Sequence, residues 1–377
     1  MHYVDEAEIR GKRVLLRCDF NVPIKNNVIE DDERIVKSLK TINYLLKNNC
    51  SIIIMSHLGR VNTREDKIKN SLEPVAKRLG ELLRKDVKFF NNPVGMPVLE
   101  ASKNIKPGEV FLLENTRFCD FPEKLESHND LNLAKYWSTL AEIFVVDSFG
   151  SLHRKHASVA GVANFLPTYF GLLVKDEIEG LNPIVNDVIH PYAVFMGGAK
   201  IDDKLGYIKN ILPNCDYLLI GGGIANSFLY ACGYDVGDSL CTSDEMTLQE
   251  LKDLVSIYKD KIIMPIDFNF SATKIADLGY KSIEKYKKYL NECKTVFING
   301  SCGIFEESEF SKGTRDLFLS LNPSNAYIVA GGGDTLNAIK LFHLDKNFSH
   351  LSTGGGASLE YISSGHLEAI DYINSIR

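Results

Sequence analysis

Short apolar runs alternate with amphipathic segments along almost the whole chain. In the first half the runs are Arg13–Cys18, Ser51–Met55, Val87–Phe90, Val110–Leu113 and Ile143–Val146, each followed by a polar loop. Between them, stretches such as Ile35–Lys47 and Pro74–Arg84 carry apolar residues at helical spacing. Apolar runs this short, interleaved with helices, predict buried strands of a doubly wound parallel sheet with right-handed crossovers. A second alternation starts near Tyr192 and predicts a second sheet of the same class. Gly171–Asn186 has the length and periodicity of one long helix, which Asn182-Pro183 and the following loop are expected to end. The last twenty residues read as a strand or turn followed by a closing helix, His366–Ile376. The expected fold is α/β: two doubly wound, Rossmann-like parallel-sheet domains joined by a helix and hinge. Their expected bounds are 1–170 and 190–357, with 171–189 as connector and a tail from about 358 to 377.

Five of the second-half runs end in glycine: Tyr192–Lys200, Tyr217–Gly223, Val296–Gly300, Tyr327–Thr335 and Leu351–Ala357. A buried parallel strand that breaks off in glycine opens its carboxyl end into a ligand crevice. Glycine lets backbone N–H groups approach a phosphate chain, and helix N-termini add their dipole. One such cluster would be an ordinary strand-to-helix turn. Five, accompanied by Lys200, Lys204 and Asp334, point to a nucleotide-phosphate site.

The strand exits of the first half carry different chemistry. They read Asp19-Phe20-Asn21, Ser56-His57-Leu58-Gly59-Arg60, Glu114-Asn115-Thr116-Arg117 and Asp147-Ser148-Phe149-Gly150, with His153-Arg154-Lys155-His156 just beyond. Arg34 opens the first helix after an acidic, hairpin-like loop. If these loops share one sheet edge, four arginines and up to three histidines converge there. Arginine forks match phosphate and carboxylate oxygens. A single arginine or histidine is more often structural, and His128, His190, His343, His350 and His366 keep that default. Repetition at equivalent exits sets His57, Arg60, Arg117 and Arg154 apart. An anion site in one half and a phosphate site in the other suggest phosphoryl transfer, with closure about the hinge to expel water.

Composition narrows the choice further. At 377 residues the chain is long enough for two hydrophobic cores. A net charge of −6, without any Lys/Arg block, argues against a nucleic-acid binder. The eight scattered cysteines form no CxxC pair or metal spacing and suit a reduced, cytoplasmic protein. No run reaches membrane-spanning length, and the first residues do not form a signal peptide. Neither GxxxxGK[ST] nor GxGxxG occurs, so a P-loop enzyme or an NAD-dependent oxidoreductase is not indicated.

A family likeness runs through these motifs. Arg17-x-Asp19-Phe20-Asn21-Val22-Pro23, Ser56-His57-Leu58-Gly59-Arg60, Ser71-Leu72-Glu73-Pro74, Leu113-Glu114-Asn115-x-Arg117-Phe118, Asp147-x-Phe149-Gly150 and His153-Arg154-x-His156 resemble phosphoglycerate kinases. So do Gly197-Gly198-Ala199-Lys200-x-x-Asp203-Lys204, Asn299-Gly300-x-x-Gly303-x-Phe305-Glu306, Gly331-Gly332-Gly333-Asp334-Thr335 and Ser352-Thr353-Gly354-Gly355-Gly356-Ala357-Ser358. All fall in family order. The resemblance implies a bilobal, monomeric enzyme with 3-phosphoglycerate or 1,3-bisphosphoglycerate on the first half and Mg2+ with ATP or ADP on the second. It implies that Asp19, Asn21, Arg34, His57, Arg60, Arg117 and Arg154 hold the phosphoglycerate, and that Arg34 also stabilises the transition state. Lys200, Lys204 and the N–H groups of Gly354 and Gly355 would meet the transferring phosphoryl group. Asp334 would bind magnesium, Thr335 the nucleotide phosphates and Glu306 the ribose. Gly198, Gly222, Asn299, Gly303 and Gly333 complete the implied nucleotide set. The last helix would fold back onto the first domain.

The likeness is thinnest around the base. Phe268–Asp277 is short where the family has a longer excursion over the adenine, Ser301-Cys302 replaces a proline and an apolar residue, and Ile298 stands where tryptophan is common. Leu152 replaces a small residue before His153, and the stretch after Phe118 is trimmed. Two alternatives therefore accompany the leading activity: a carboxylate kinase for a related phospho- or phosphono-acid, or one with altered base preference. A non-catalytic scaffold is disfavoured, because an idle site has no reason to keep Arg34, Lys200, Lys204, Glu306, Asp334 and Thr335 together.

Overall fold

The computed structural model describes residues 1–376. The chain divides into two compact units, Met1–Ile178 together with the segment that starts at His366, and Glu179–Gly365. Arg377, the last residue of the expected tail, lies outside the described residues.

The first unit is built on a six-stranded sheet in the order Val87–Phe90, Val110–Leu113, Ser51–Met55, Arg13–Cys18, Ile143–Asp147, Thr168–Phe170. Every neighbouring pair is parallel. The central strands are buried on both faces, which is why they read as continuous apolar runs and not as alternation. Helix Glu33–Lys47 lays Ile35, Ile42 and Leu45 onto one face, beside Val75, Ala76 and Leu79 of helix Glu73–Leu83. The acidic loop before Arg34 contains a two-stranded hairpin, Ile24–Lys25 with Val28–Ile29.

The second unit repeats the plan. Its sheet runs Ile262–Ile263, Tyr217–Ile220, Tyr192–Met196, Thr295–Asn299, Tyr327–Gly331, His350–Ser352, again all parallel. The five glycine clusters follow five adjacent strands, so all leave one edge. The α/β architecture with two parallel sheets is as the apolar pattern predicts.

Several local elements refine or correct the expectations. Helix Leu172–Val185 lies within one residue of the expected bounds at each end and stops two residues after Pro183. The proline removes one N–H donor, but Asn186 N still bonds Asn182 O at 2.8 Å, so the last turn closes around it. Residues 356–364 form a helix, not a strand or turn. Gly356–Ser364 buries Ala357, Ser358, Leu359, Tyr361 and Ile362 and ends on Gly365 in the left-handed conformation. The closing helix is shorter than expected, Glu368–Ser375, and it packs Ala369, Ile370 and Ile373 inward. Finally, the short segment 268–278 is a hairpin, Phe268–Ser271 against Lys274–Leu278. Ile275 N donates to Ser239 Oγ (2.8 Å), which ties this hairpin to the preceding loop.

Candidate functional site

In the first unit the exit of strand Arg13–Cys18 supplies Asp19, whose Oδ2 accepts from Arg34 Nη1 at 2.5 Å. Asp19 Oδ1 accepts from Asn21 N (3.2 Å), and Asn21 Oδ1 accepts in turn from Gly59 N (2.9 Å). Gly59 O receives Arg117 Nη1. Two adjacent strand exits are thereby stitched to a third. Asn115 does the scaffolding: its Oδ1 accepts from Leu58 N (3.2 Å) and Arg117 N (3.0 Å), and its Nδ2 donates to Leu58 O (2.7 Å). Arg60, Arg117 and Arg154 line one cavity of about 100 Å3, with Asp120, Lys124 and Ser127. All seven residues expected for an acceptor anion lie in this unit: Asp19, Asn21, Arg34 and Arg117 in one hydrogen-bonded network, Arg60, Arg117 and Arg154 around one cavity, and His57 with its Nδ1 3.9 Å from Asp19 Oδ1.

Burial and the clustered arginines set the protonation of the histidines here. Burial, then Arg17 and Arg117, push His57 well below its ordinary pKa. Burial, then Arg117 and Arg17, push His156 down to about 3. His153 moves the same way through burial and Arg154. At neutral pH the arginines carry the positive charge while the three imidazoles stay neutral. Arg117 Nε is buried without a partner among the described residues, which carries a cost in desolvation.

In the second unit a cavity of about 270 Å3 is lined by Gly198, Ala199, Gly222, Gly223, Asn226, Ser301 to Glu306 and Asp334, with Leu240 and Lys274 to Ala276. Of the expected nucleotide set, Gly198, Gly222, Gly303, Glu306 and Asp334 line it. Lys200, Lys204, Asn299, Gly333 and Thr335 do not. Asn299 and Thr335 instead hold the strand exits: Asn299 Nδ2 donates to Gly331 O (2.7 Å), while Thr335 Oγ1 accepts from Gly300 N (2.6 Å) and donates to Gly331 O (2.8 Å). Asp334 is exposed in the first turn of helix Gly333–Leu341. Gly354 N donates to Ser352 Oγ (3.3 Å), and Gly355 caps helix Gly356–Ser364. Lys200 is exposed.

Lys204 donates to Gly197 O at 2.6 Å. Burial lowers its pKa to about 8, against the pull of Asp334 and Asp203. A bound phosphate would raise that value again, so binding should take up a proton above this pH. Nucleotide affinity is therefore expected to hold below about pH 8 and to fall as pH rises through it. Titration calorimetry with ADP in buffers spanning that value checks this. Lys204→Arg, which cannot deprotonate there, should flatten the profile.

Several site residues escape sequence reasoning. Arg17 and Glu126 are fully buried around the first site. Arg17 carried a signal, a charge beside the apolar run Val14–Leu16 at the head of the Asp19-Phe20-Asn21 motif, but no role was read from it. Asp277 carried none: it accepts from Gly313 N (2.7 Å) and Leu278 N (2.9 Å), and burial raises its pKa to about 7. It anchors the hairpin behind the cavity wall.

Known proteins match this chain from end to end. The phosphoglycerate kinase family profile covers residues 4–365. The phosphoglycerate kinase of Lactobacillus delbrueckii subsp. bulgaricus is 42% identical over 395 aligned positions, covering 97% of each chain. That of Lactobacillus acidophilus is also 42% identical, with the same coverage. Among solved structures, phosphoglycerate kinase from Coxiella burnetii superposes with a TM-score of 0.84 at 34% identity, over 99% of this chain and 98% of that one. The enzyme from Pyrococcus horikoshii gives 0.88 at 28% identity, over 100% and 99%.

Proposed function

The chain belongs to the phosphoglycerate kinase family, and from that premise we propose that it catalyses reversible, magnesium-dependent transfer between 1,3-bisphosphoglycerate and ADP, giving 3-phosphoglycerate and ATP. The observation that carries the reading is the first-unit anion site: three arginines around one small cavity, beside the Asp19–Arg34 pair and a neutral His57. That set suits a small molecule bearing both a phosphate and a carboxylate. The acceptor carboxylate is ionised at neutral pH and needs no general base. What the transfer needs is alignment and positive charge at the equatorial oxygens.

Arg34 and Lys200 supply that charge in this reading, with Lys204 and the Gly354 and Gly355 N–H groups beside them. Asp334 holds the magnesium. Among the described residues no three His, Cys, Asp or Glu gather as metal ligands. One exposed carboxylate at a helix start fits an ion held mainly by nucleotide oxygens and water. When bound, that ion neutralises charge on the phosphates. Glu306 takes the ribose, and the Gly198 and Gly222 backbone flanks the nucleotide. Thr335 and Asn299 act here by holding Gly300 and Gly331 in place. Because the phosphoryl group passes directly between the two ligands, hinge closure belongs to the mechanism. Eight free cysteines, and the lack among the described residues of any helix able to span a membrane, support a cytoplasmic enzyme, read here as a monomer.

A second reading concerns the donor base. The hairpin places Lys274, Ile275 and Ala276 on the cavity wall, where relatives are expected to carry a longer excursion. A coupled assay with 3-phosphoglycerate, magnesium and either ATP or GTP tests both readings. Turnover with ATP is expected, and Lys200→Ala should reduce it by roughly 100-fold or more with the fold intact. Turnover with GTP alone would assign the hairpin a changed base preference. Silence with both donors would overturn the proposed reaction.

A further inference from the structure

Arg17 lies in the middle of the first sheet and is wholly buried. Each of its three guanidinium nitrogens has a partner. Nε donates to Ser158 Oγ (2.9 Å), Nη1 to the carbonyl of Cys18, and Nη2 lies 3.1 Å from His57 Nδ1. Guanidinium has donors only and does not lose its proton in a protein. The ring atom facing it must therefore offer a lone pair. The one competing acidic partner is Asp19, whose Oδ1 stands 3.9 Å from the same nitrogen, too far for a hydrogen bond. Both Asp19 oxygens are already engaged, by Asn21 N and by Arg34.

We propose that Arg17 is a positioning residue for the acceptor site: it holds His57 in the tautomer protonated at Nε2, so that the ring presents a neutral N–H to the anionic substrate. This rests on the reading of the first-unit site as the phosphoglycerate site. Among the described residues no group pairs with Nε2, and that atom is not sealed from solvent. The opposite tautomer would turn a lone pair toward an oxyanion, and the protonated ring would sit against Arg17, Arg117 and Arg34, with Asp19 at 3.9 Å as its one ion-pair partner among the described residues. His156, the other ionisable neighbour, is itself neutral.

The structure behind Arg17 is built to keep it in place. Glu126 is fully buried and accepts from Ser158 N (2.9 Å), from Thr116 Oγ1 (3.1 Å) and from the Ser158 hydroxyl that receives Arg17. The carboxylate compensates the guanidinium through that hydroxyl, and the pair lies too deep to touch a ligand. A purely structural buried pair would have no need to aim an Nη2 N–H at a site histidine.

The test is 15N-histidine NMR on the full-length protein at neutral pH, with His57→Gln used to assign the His57 signals. The expected ligand-free spectrum shows Nε2 protonated and Nδ1 bare. A protonated Nδ1, alone or with Nε2, overturns the proposal. Adding 3-phosphoglycerate should shift the Nε2 signal and leave Nδ1 bare. Calorimetric binding with the His57 signals unmoved would also overturn it. If calorimetry finds no binding, the site reading fails, while the ligand-free spectrum still decides whether Arg17 sets the tautomer. Arg17→Met should mix the tautomers and raise KM for 3-phosphoglycerate by roughly 10-fold or more, with kcat less affected. Arg17→Lys, which keeps a charged donor, should restore the single tautomer and most of the lost affinity. Equal KM in the wild type and a folded Arg17→Met variant would refute the assignment. Should both variants unfold, the wild-type spectra suffice.

Discussion

Replacing Arg34 with alanine is expected to lower kcat by roughly 1,000-fold, about 4 kcal/mol of transition-state stabilisation, with little change in melting temperature. The local structure explains both halves of that expectation. Arg34 is the second residue of helix Glu33–Lys47, whose packing rests on Ile35, Ile42 and Leu45, and these the substitution leaves alone. Its side chain is partly exposed and makes one strong contact, to Asp19 Oδ2. Asp19 would lose that partner but keep the Asn21 N–H, at the edge of the site where water can replace the guanidinium. Chemistry has no such substitute. In the proposed transfer the charge building on the equatorial oxygens needs a cation already aimed, and water must reorganise to serve. Arg34→Lys separates charge from geometry: it keeps the cation but not the planar fork, so it should recover only part of the loss. Steady-state kinetics on Arg34→Ala, with thermal unfolding run alongside, decides the matter. Near wild-type turnover would remove Arg34 from the mechanism.

The two sheets were legible because buried parallel strands leave an unmistakable trace, runs such as Ser51–Met55 and Thr295–Asn299 apolar at nearly every position. The glycine-lined edge was legible for a related reason: glycine after such a run marks a sharp, crowded exit. What could not be read were the partners of polar side chains. Thr335 and Asn299 sit in motifs that resemble phosphate contacts, yet their side chains are turned into the backbone of neighbouring exits. Nothing in a one-dimensional string distinguishes a hydroxyl facing a ligand from one facing a carbonyl. Pro183 was a usable signal: proline removes a helix donor and crowds the preceding turn, and helix Leu172–Val185 ends two residues after it. Residues 356–364 read as a strand or turn, but a buried face of Leu359 and Ile362 decided for a helix.

Gly300→Ala should be the most damaging single-methyl change in the second unit, destabilising it by about 4 kcal/mol and abolishing nucleotide binding. Two independent penalties add. The backbone at Gly300 has φ of +95°, a conformation that side chains rarely adopt, and a Cβ there would lie 2.2 Å from Gly197 O. The obstacle is backbone, so no rotamer change relieves it. The two strand exits would have to part, and their separation passes directly into the site. Gly197 O is the acceptor for Lys204 Nζ, and Gly300 N is held by Thr335 Oγ1. Moving either one releases the cation proposed to meet the phosphates and the hydroxyl that fixes the Gly331 exit. Gly333→Ala provides the control. It lies in the same clustered edge at the start of a helix, but a Cβ there meets nothing within 4 Å. Its stability should match or slightly exceed wild type, since alanine favours the helix. Urea unfolding of both variants, with ADP affinity measured by calorimetry, separates a crowded backbone crossing from a merely glycine-rich edge. Equal midpoints for Gly300→Ala and wild type would mean that the exits can part without cost, and the packing of backbone against backbone would then not be what shapes this site.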